Sequence, residues 1–167
     1  MPSEVDEGEL LGEGAEKKSV EPVSFNGACA ARISEHHGWD LIKQSRIAYA
    51  DPGQNLTVTC SVSKEYPHPT GTGYWFAFHT HHLEKLREAG SGYAAFGCGS
   101  PDQIALFPID FLESQLDGLN QTHRADGRSY WHDLIHCNEG KWCLKDKRVQ
   151  GWTDISTRMV FNRGKPA

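Results

Sequence analysis

The densest group of reactive side chains in this chain is His79-Thr80-His81-His82. Imidazoles two residues apart at the end of a strand project together and suit a divalent metal. A catalytic metal needs further ligands and an open position. His132 and Asp133 can complete a set with His79 and His81, and His68 and His136 are further candidates, provided that the two segments are neighbours. Such a quartet predicts a metal-dependent hydrolase or nuclease with a divalent metal as its cofactor. Asp133, Glu139 and Lys141 also imitate the acid and Glu-x-Lys order of metal-dependent nucleases, but Asn138-Glu139-Gly140 reads as an exposed turn.

The thiols and small-residue motifs point to less chemistry. The five cysteines are Cys29, Cys60, Cys98, Cys137 and Cys143, an odd number without a Cys-x-x-Cys pair. Reduced, partly buried thiols are expected. Cys137 and Cys143 are spaced to face each other across a hairpin, where a structural zinc would need two more ligands. Cys98 lies between Gly97 and Gly99 and reads as a small residue in a tight bend. No Gly-x-Ser-x-Gly, Walker loop or Gly-x-Gly-x-x-Gly occurs.

Aromatic rings offer a second kind of site. Gly73-Tyr74-Trp75-Phe76-Ala77-Phe78-His79 and Gly127-Arg128-Ser129-Tyr130-Trp131-His132 each run from a glycine turn into a Tyr-Trp pair. Both read as strands with one buried face, lying side by side or stacked in a small sheet. Trp75, Tyr130 and Trp131 are expected to line a pocket that stacks a planar base. Arg124 and Arg128, in the preceding loop, and Lys145, Lys147 and Arg148 are expected to meet phosphates.

Charge is unevenly spread. The formal charge of −5 is carried by residues 1–24, where Glu4, Asp6, Glu7, Glu9, Glu13, Glu16 and Glu21 outnumber Lys17 and Lys18. From Lys141 to Lys165, Lys141, Lys145, Lys147, Arg148, Arg158, Arg163 and Lys165 face only Asp146 and Asp154. A local cationic surplus attracts phosphate even on an acidic protein. The acidic arm is too poor in apolar residues to offset its ordering entropy, so residues 1–24 are expected to be disordered or to link to an upstream domain. No apolar run is long enough for a membrane helix, and the acidic start lacks a secretory pattern, so a cytoplasmic protein is expected.

The elements that must position these residues are legible in part. Helical spacing is expected from Phe25 to Ala50, broken at His36-His37-Gly38 and resumed through Trp39, Ile42, Arg46 and Tyr49. Strands are expected at 56–62, 74–79, 93–98, 104–108 and 130–136, with a possible return at 142–144. Residues 66–73 and 120–129 read as loops. Helices are expected after Thr80 as a cap and over 110–119. The sum is one α+β domain over 25–167, with a mixed or mostly antiparallel sheet of about five strands and helices on one face.

The order of segments is itself distinctive. A Tyr-Trp-Phe strand is followed by Gly92-Tyr93, Phe96-Gly97-Cys98, Phe107-Pro108, Leu116-Asp117-Gly118-Leu119-Asn120-Gln121-Thr122 and Tyr130-Trp131-His132. From Ser61 to Leu144 this order resembles an uncharacterised domain that accompanies bacterial restriction and DNA-defence proteins. The resemblance implies a DNA-linked context and a late part of a restriction-endonuclease-like fold, and it identifies no active-site residue. The first expectation is therefore a cofactor-free nucleic-acid recognition module of such a system. The metal-dependent hydrolase or nuclease is the second. The third is an interaction subunit whose aromatic face binds a partner protein.

Overall fold

The computed structural model describes residues 24–149 and 151–162. The acidic arm apart from Ser24, and the basic residues Arg163 and Lys165, lie outside them. Helix α1 (Phe25–His37) begins where the Ser24 hydroxyl accepts the Gly27 N–H at 3.0 Å. It ends at Gly38, whose φ of 71° is the left-handed conformation that glycine adopts at least cost.

Two six-stranded sheets follow. The first holds β1 (Ile42–Lys43), β2 (Ala48–Ala50), β3 (Leu56–Ser63), β6 (Ser91–Cys98), β7 (Gln103–Pro108) and β12 (Met159–Phe161), in that order. Only β3 and β6 are parallel. The second sheet runs β11 (Gly151–Asp154), β10 (Lys141–Asp146), β9 (Ser129–Asn138), β5 (Gly71–His79) and β4 (Tyr66–His68). Strand β8 (Asn120–His123) shares one side of β9 with β10, so the two neighbours fork apart along it. The α+β class holds, with the strands divided between two sheets rather than gathered into one.

Three local expectations change. Trp39, Ile42, Arg46 and Tyr49 do not continue a helix, because Ala48, Tyr49 and Ala50 are all buried in β2 against β3. A tight turn sets up that strand, with the Ala48 N–H donating to the Ser45 hydroxyl. Residues 66–73 are not a free loop but the β4–β5 hairpin, where Pro67 sits on an edge strand and its missing N–H breaks no ladder. Gly71 makes this hairpin possible, since its φ is 144° and a Cβ there would collide with the Cys137 carbonyl. The segment after Leu119 is strand β8, although its residues are polar and mostly exposed.

Packing arranges these elements in layers. Cys29, Ala30 and Ile33 of α1 pack with Val58, Cys60, Ala95, Ile104 and Leu106 on one face of the first sheet. The other face, through Ala94, Phe96, Cys98, Ala105 and Phe107, meets Tyr74, Phe76, Phe78, Ile135 and Leu144 from the second sheet. The Phe76 and Phe96 rings meet edge to face at 5.0 Å between centroids. Helix α2 (Thr80–Glu88) and helix α3 (Ile109–Gln115) seal the same core with Leu83, Leu86 and Leu112.

Asp133 breaks the pattern of this core. It faces inward from β9 opposite Phe76, with Trp131 and Ile135 on the same face. Both carboxyl oxygens are buried without a hydrogen-bond partner among the described residues. Burial pushes the group well above the usual carboxylate range, so it is held neutral. An unsatisfied polar group costs about 1–3 kcal/mol. In the unfolded chain the same carboxyl ionises near 3.8. Above that value the folded chain retains a proton that the unfolded chain releases. Stability from this group is full below it and falls by about 1.4 kcal/mol per pH unit as the pH rises, until the folded group ionises. Asp133→Asn removes the titration while keeping the shape. Urea denaturation at pH 5 and pH 7 is expected to show the variant gaining on the wild type as pH rises. A difference that does not change with pH contradicts this assignment.

Candidate functional site

The β5–β9 pairing sets which side chains share a face. Thr72 pairs with Cys137 and His79 with Tyr130, in unbroken register between them. Strand alternation then sends Tyr74, Phe76, Phe78, Trp131, Asp133 and Ile135 inward. It sends Trp75, Ala77, His79, Tyr130, His132, Leu134 and His136 outward. The two Tyr-Trp motifs are therefore mirror images in use: the Trp75 and Tyr130 rings meet at 6.5 Å on the outer face, whereas Tyr74 stacks on Trp142 inside.

His132 is locked at the centre of this face. The Trp75 Nε1–H donates to its Nδ1 at 3.2 Å, and its Nε2 lies 2.6 Å from the Thr122 Oγ1. An indole only donates, so Nδ1 is unprotonated and the ring proton is on Nε2, shared with Thr122. Both nitrogens are thus engaged within the protein, and His132 is not available as a metal ligand or a general base.

Two depressions flank this chain. On one side lies a pocket of about 290 Å³ bordered by Tyr66, Pro67, His68, Trp75, Leu134, Lys145 and Trp152. The Lys145 Nζ stands 5.3 Å from the Trp152 ring centre. The His136 ring lies 5.1 Å from Trp152 and 4.0 Å from His68. On the other side, where β8 and β10 fork, a cleft of about 610 Å³ is bordered by Asp117, Asn120, Gln121, Thr122, Trp131, His132 and Lys147. The Trp75–His132–Thr122 chain separates the two.

The structure redistributes the residues expected to act. Trp75 and Lys145 line the pocket, and Trp131 and Lys147 line the cleft. Tyr130 is buried between Trp75, His79 and His132. Arg124 and Arg128 sit at the tip of the β8–β9 hairpin, where Arg128 pairs with Asp126 at 3.4 Å. Arg148 is not a free phosphate ligand, because its guanidinium makes a two-pronged contact with Asp146 at 3.0 and 3.1 Å. That contact, with the Thr153 hydroxyl, holds the Asp146 carboxyl down to about 2.

The proposed metal quartet is not assembled. His132 and Asp133 are consecutive on β9 and point to opposite faces. His79 and His81 lie 5.3 Å apart between ring centres, with Tyr130 standing between His79 and His132. Among the described residues, no three His, Cys, Asp or Glu side chains stand together so as to hold one metal ion. Cys137 and Cys143 fail as a pair for the same reason as His132 and Asp133: Cys137 pairs with Trp142 and Cys143 with His136, on opposite faces. Asn138-Glu139-Gly140 is the β9–β10 turn, with positive φ at Glu139 and Gly140.

The place of Trp152 and the ring contact of His68 with His136 were not legible beforehand. Trp152 lies in a short strand within a basic tail, and only its pairing with Lys145 brings it to the pocket. No family model matches this chain, and neither a curated protein nor a solved structure matches it. No helix among the described residues is long and apolar enough to cross a membrane.

His82 caps its own helix rather than serving the outer face. Helix α2 begins at Thr80 with His79, not Thr80, as its cap, and the His79 backbone N–H donates to the His82 Nδ1 at 3.4 Å. Burial, and next the neighbouring His81, push the His82 ring down from 6.5 to about 3. Between those values the unfolded chain binds a proton that the folded chain does not, so the stabilisation is full above 6.5 and is lost as pH falls. Nitrogen-15 spectra of the imidazoles at pH 5 are expected to show His82 neutral with its proton on Nε2. A cationic His82 at that pH contradicts the capping arrangement.

Proposed function

We propose that the outer face of the second sheet recognises an unpaired stretch of nucleic acid, as a module of a DNA-linked restriction or defence system. One observation carries this reading: a sheet face lined with rings and cations whose strands β4, β5, β9 and β10 send no carboxylate outward. Bases stack on aromatic side chains without regard to sequence, and cations beside the rings meet the phosphates. Trp152 and Tyr66 at the pocket rim offer partly exposed rings, Trp75 forms its floor, and Lys145 supplies charge. The adjoining cleft, beyond the Trp75–His132–Thr122 chain, adds Gln121, Thr122 and the cation of Lys147. The pocket, set between β4 and β11 and bordered by the rings of Tyr66, Trp75 and Trp152, offers faces on which an unpaired base can stack. The sequence resemblance supplies the restriction context.

Fluorescence anisotropy of short labelled oligonucleotides tests the proposal. Saturable binding of single strands is expected, with affinity falling steeply as salt rises because bound counterions are released. Trp152→Ala is expected to weaken binding by about 1–3 kcal/mol, the range for loss of one stacked base. Lys145→Ala is expected to flatten the salt dependence by about one phosphate contact. No saturable binding even at low salt overturns the proposal.

A further inference from the structure

We propose that the corner formed by His68, Thr70 and His136 holds a phosphate group next to the base stacked on Trp152. The inference rests on the strand-binding reading above and names how that site takes its anion.

Geometry assembles the corner from three elements. The His68 and His136 rings are in contact at 4.0 Å. The Thr70 hydroxyl lies 3.2 Å from the His136 Nε2 and 3.4 Å from the His68 Nδ1. The Thr70 N–H donates to the same Nδ1 at 3.3 Å, which places the proton of neutral His68 on Nε2, where a ligand can receive it. Trp152 stands against both imidazoles, at 5.1 Å from His136 and 6.1 Å from His68. A base on that ring brings its own phosphate to the imidazoles.

Among the described residues of β4, β5, β9 and β10, no carboxylate faces this corner. Strand β5 presents only Gly73 beside His136. Strand β4 adds the Tyr66 hydroxyl, and β10 adds Cys143 opposite His136, flanked by Lys141 and Lys145. Among the described strand residues on this side, the carboxylate is Asp154, opposite Cys143 on β11, and it accepts the Ser156 N–H at 2.8 Å. Burial, followed by the neighbouring His68, holds the His136 ring below its ordinary value. A phosphate supplies the missing charge, so binding takes up protons and strengthens as pH falls. Two imidazoles and a hydroxyl around one anion give charge-assisted hydrogen bonds, each stronger than a neutral one.

The test uses the full chain and its tryptophan fluorescence, titrated with adenosine, adenosine monophosphate and inorganic phosphate at pH 6 and pH 8. The monophosphate is expected to bind about tenfold tighter than adenosine at pH 6, the gain of one charge-assisted contact. This advantage, read as the ratio of monophosphate to adenosine affinity within each protein, is expected to shrink at pH 8 and to vanish in His136→Gln and in His68→Gln. Competition by inorganic phosphate against the monophosphate, and not against adenosine, would show that the corner takes the anion whatever carries it, and supports the proposal. Equal binding of adenosine and its monophosphate at both pH values, while oligonucleotides still bind, overturns this inference and leaves the strand-binding reading intact. Failure of monophosphate and oligonucleotide alike overturns both.

Discussion

The antiparallel pairing of β5 with β9 is the constraint on which the other features depend. Its register decides, residue by residue, what enters the core between the sheets and what faces out. Inward it delivers Tyr74, Phe76, Phe78 and Ile135 to an apolar layer shared with Phe96 and Phe107. Burying side chains of this size contributes about 1.5–3 kcal/mol each. Outward it delivers Trp75, Tyr130 and the imidazoles of His132 and His136, packed against one another and against short edge elements. A shift by one residue would exchange the two sets and would place histidines in the core. The outer face is therefore specified by the packing of the inner one.

The same alternation explains why residues adjacent in sequence have unrelated roles. His132 joins a hydrogen-bonded chain with Trp75 and Thr122 on the outer face. Asp133, its neighbour, is sealed in the core without a partner among the described residues. Leu134 returns to the outer face and borders the pocket. A motif read as a string of polar residues is thus split between two environments. Short edge elements complete the pocket from either side: β4 brings His68 and Tyr66, and β11 brings Trp152.

The long strands were legible in the sequence because alternation and β-branched or aromatic residues mark a half-buried surface. Residues 56–62, 93–98, 104–108 and 130–136 fall inside β3, β6, β7 and β9. The neighbourhood of the two Tyr-Trp segments was legible too, from their shared pattern. Short strands were not, since β2 is held by burial against β3 and β8 by pairing with β9 rather than by its own residues. Of the candidate site, Trp75, Trp131, Lys145 and Lys147 reach a depression on the second sheet. Arg148 resembled a phosphate ligand only until its contact with Asp146 was visible. Facing is a property of register, and register between distant strands is not written in either strand alone.

The outer face of the second sheet is the proposed working surface. Chemical-shift mapping of the nitrogen-15-labelled protein with a short single-stranded oligonucleotide tests it most directly. The largest changes are expected on the Trp152 indole N–H and on the amides of β4, β10 and β11. Changes concentrated on α1 or on the first sheet, with the Trp152 signal unmoved, would contradict it.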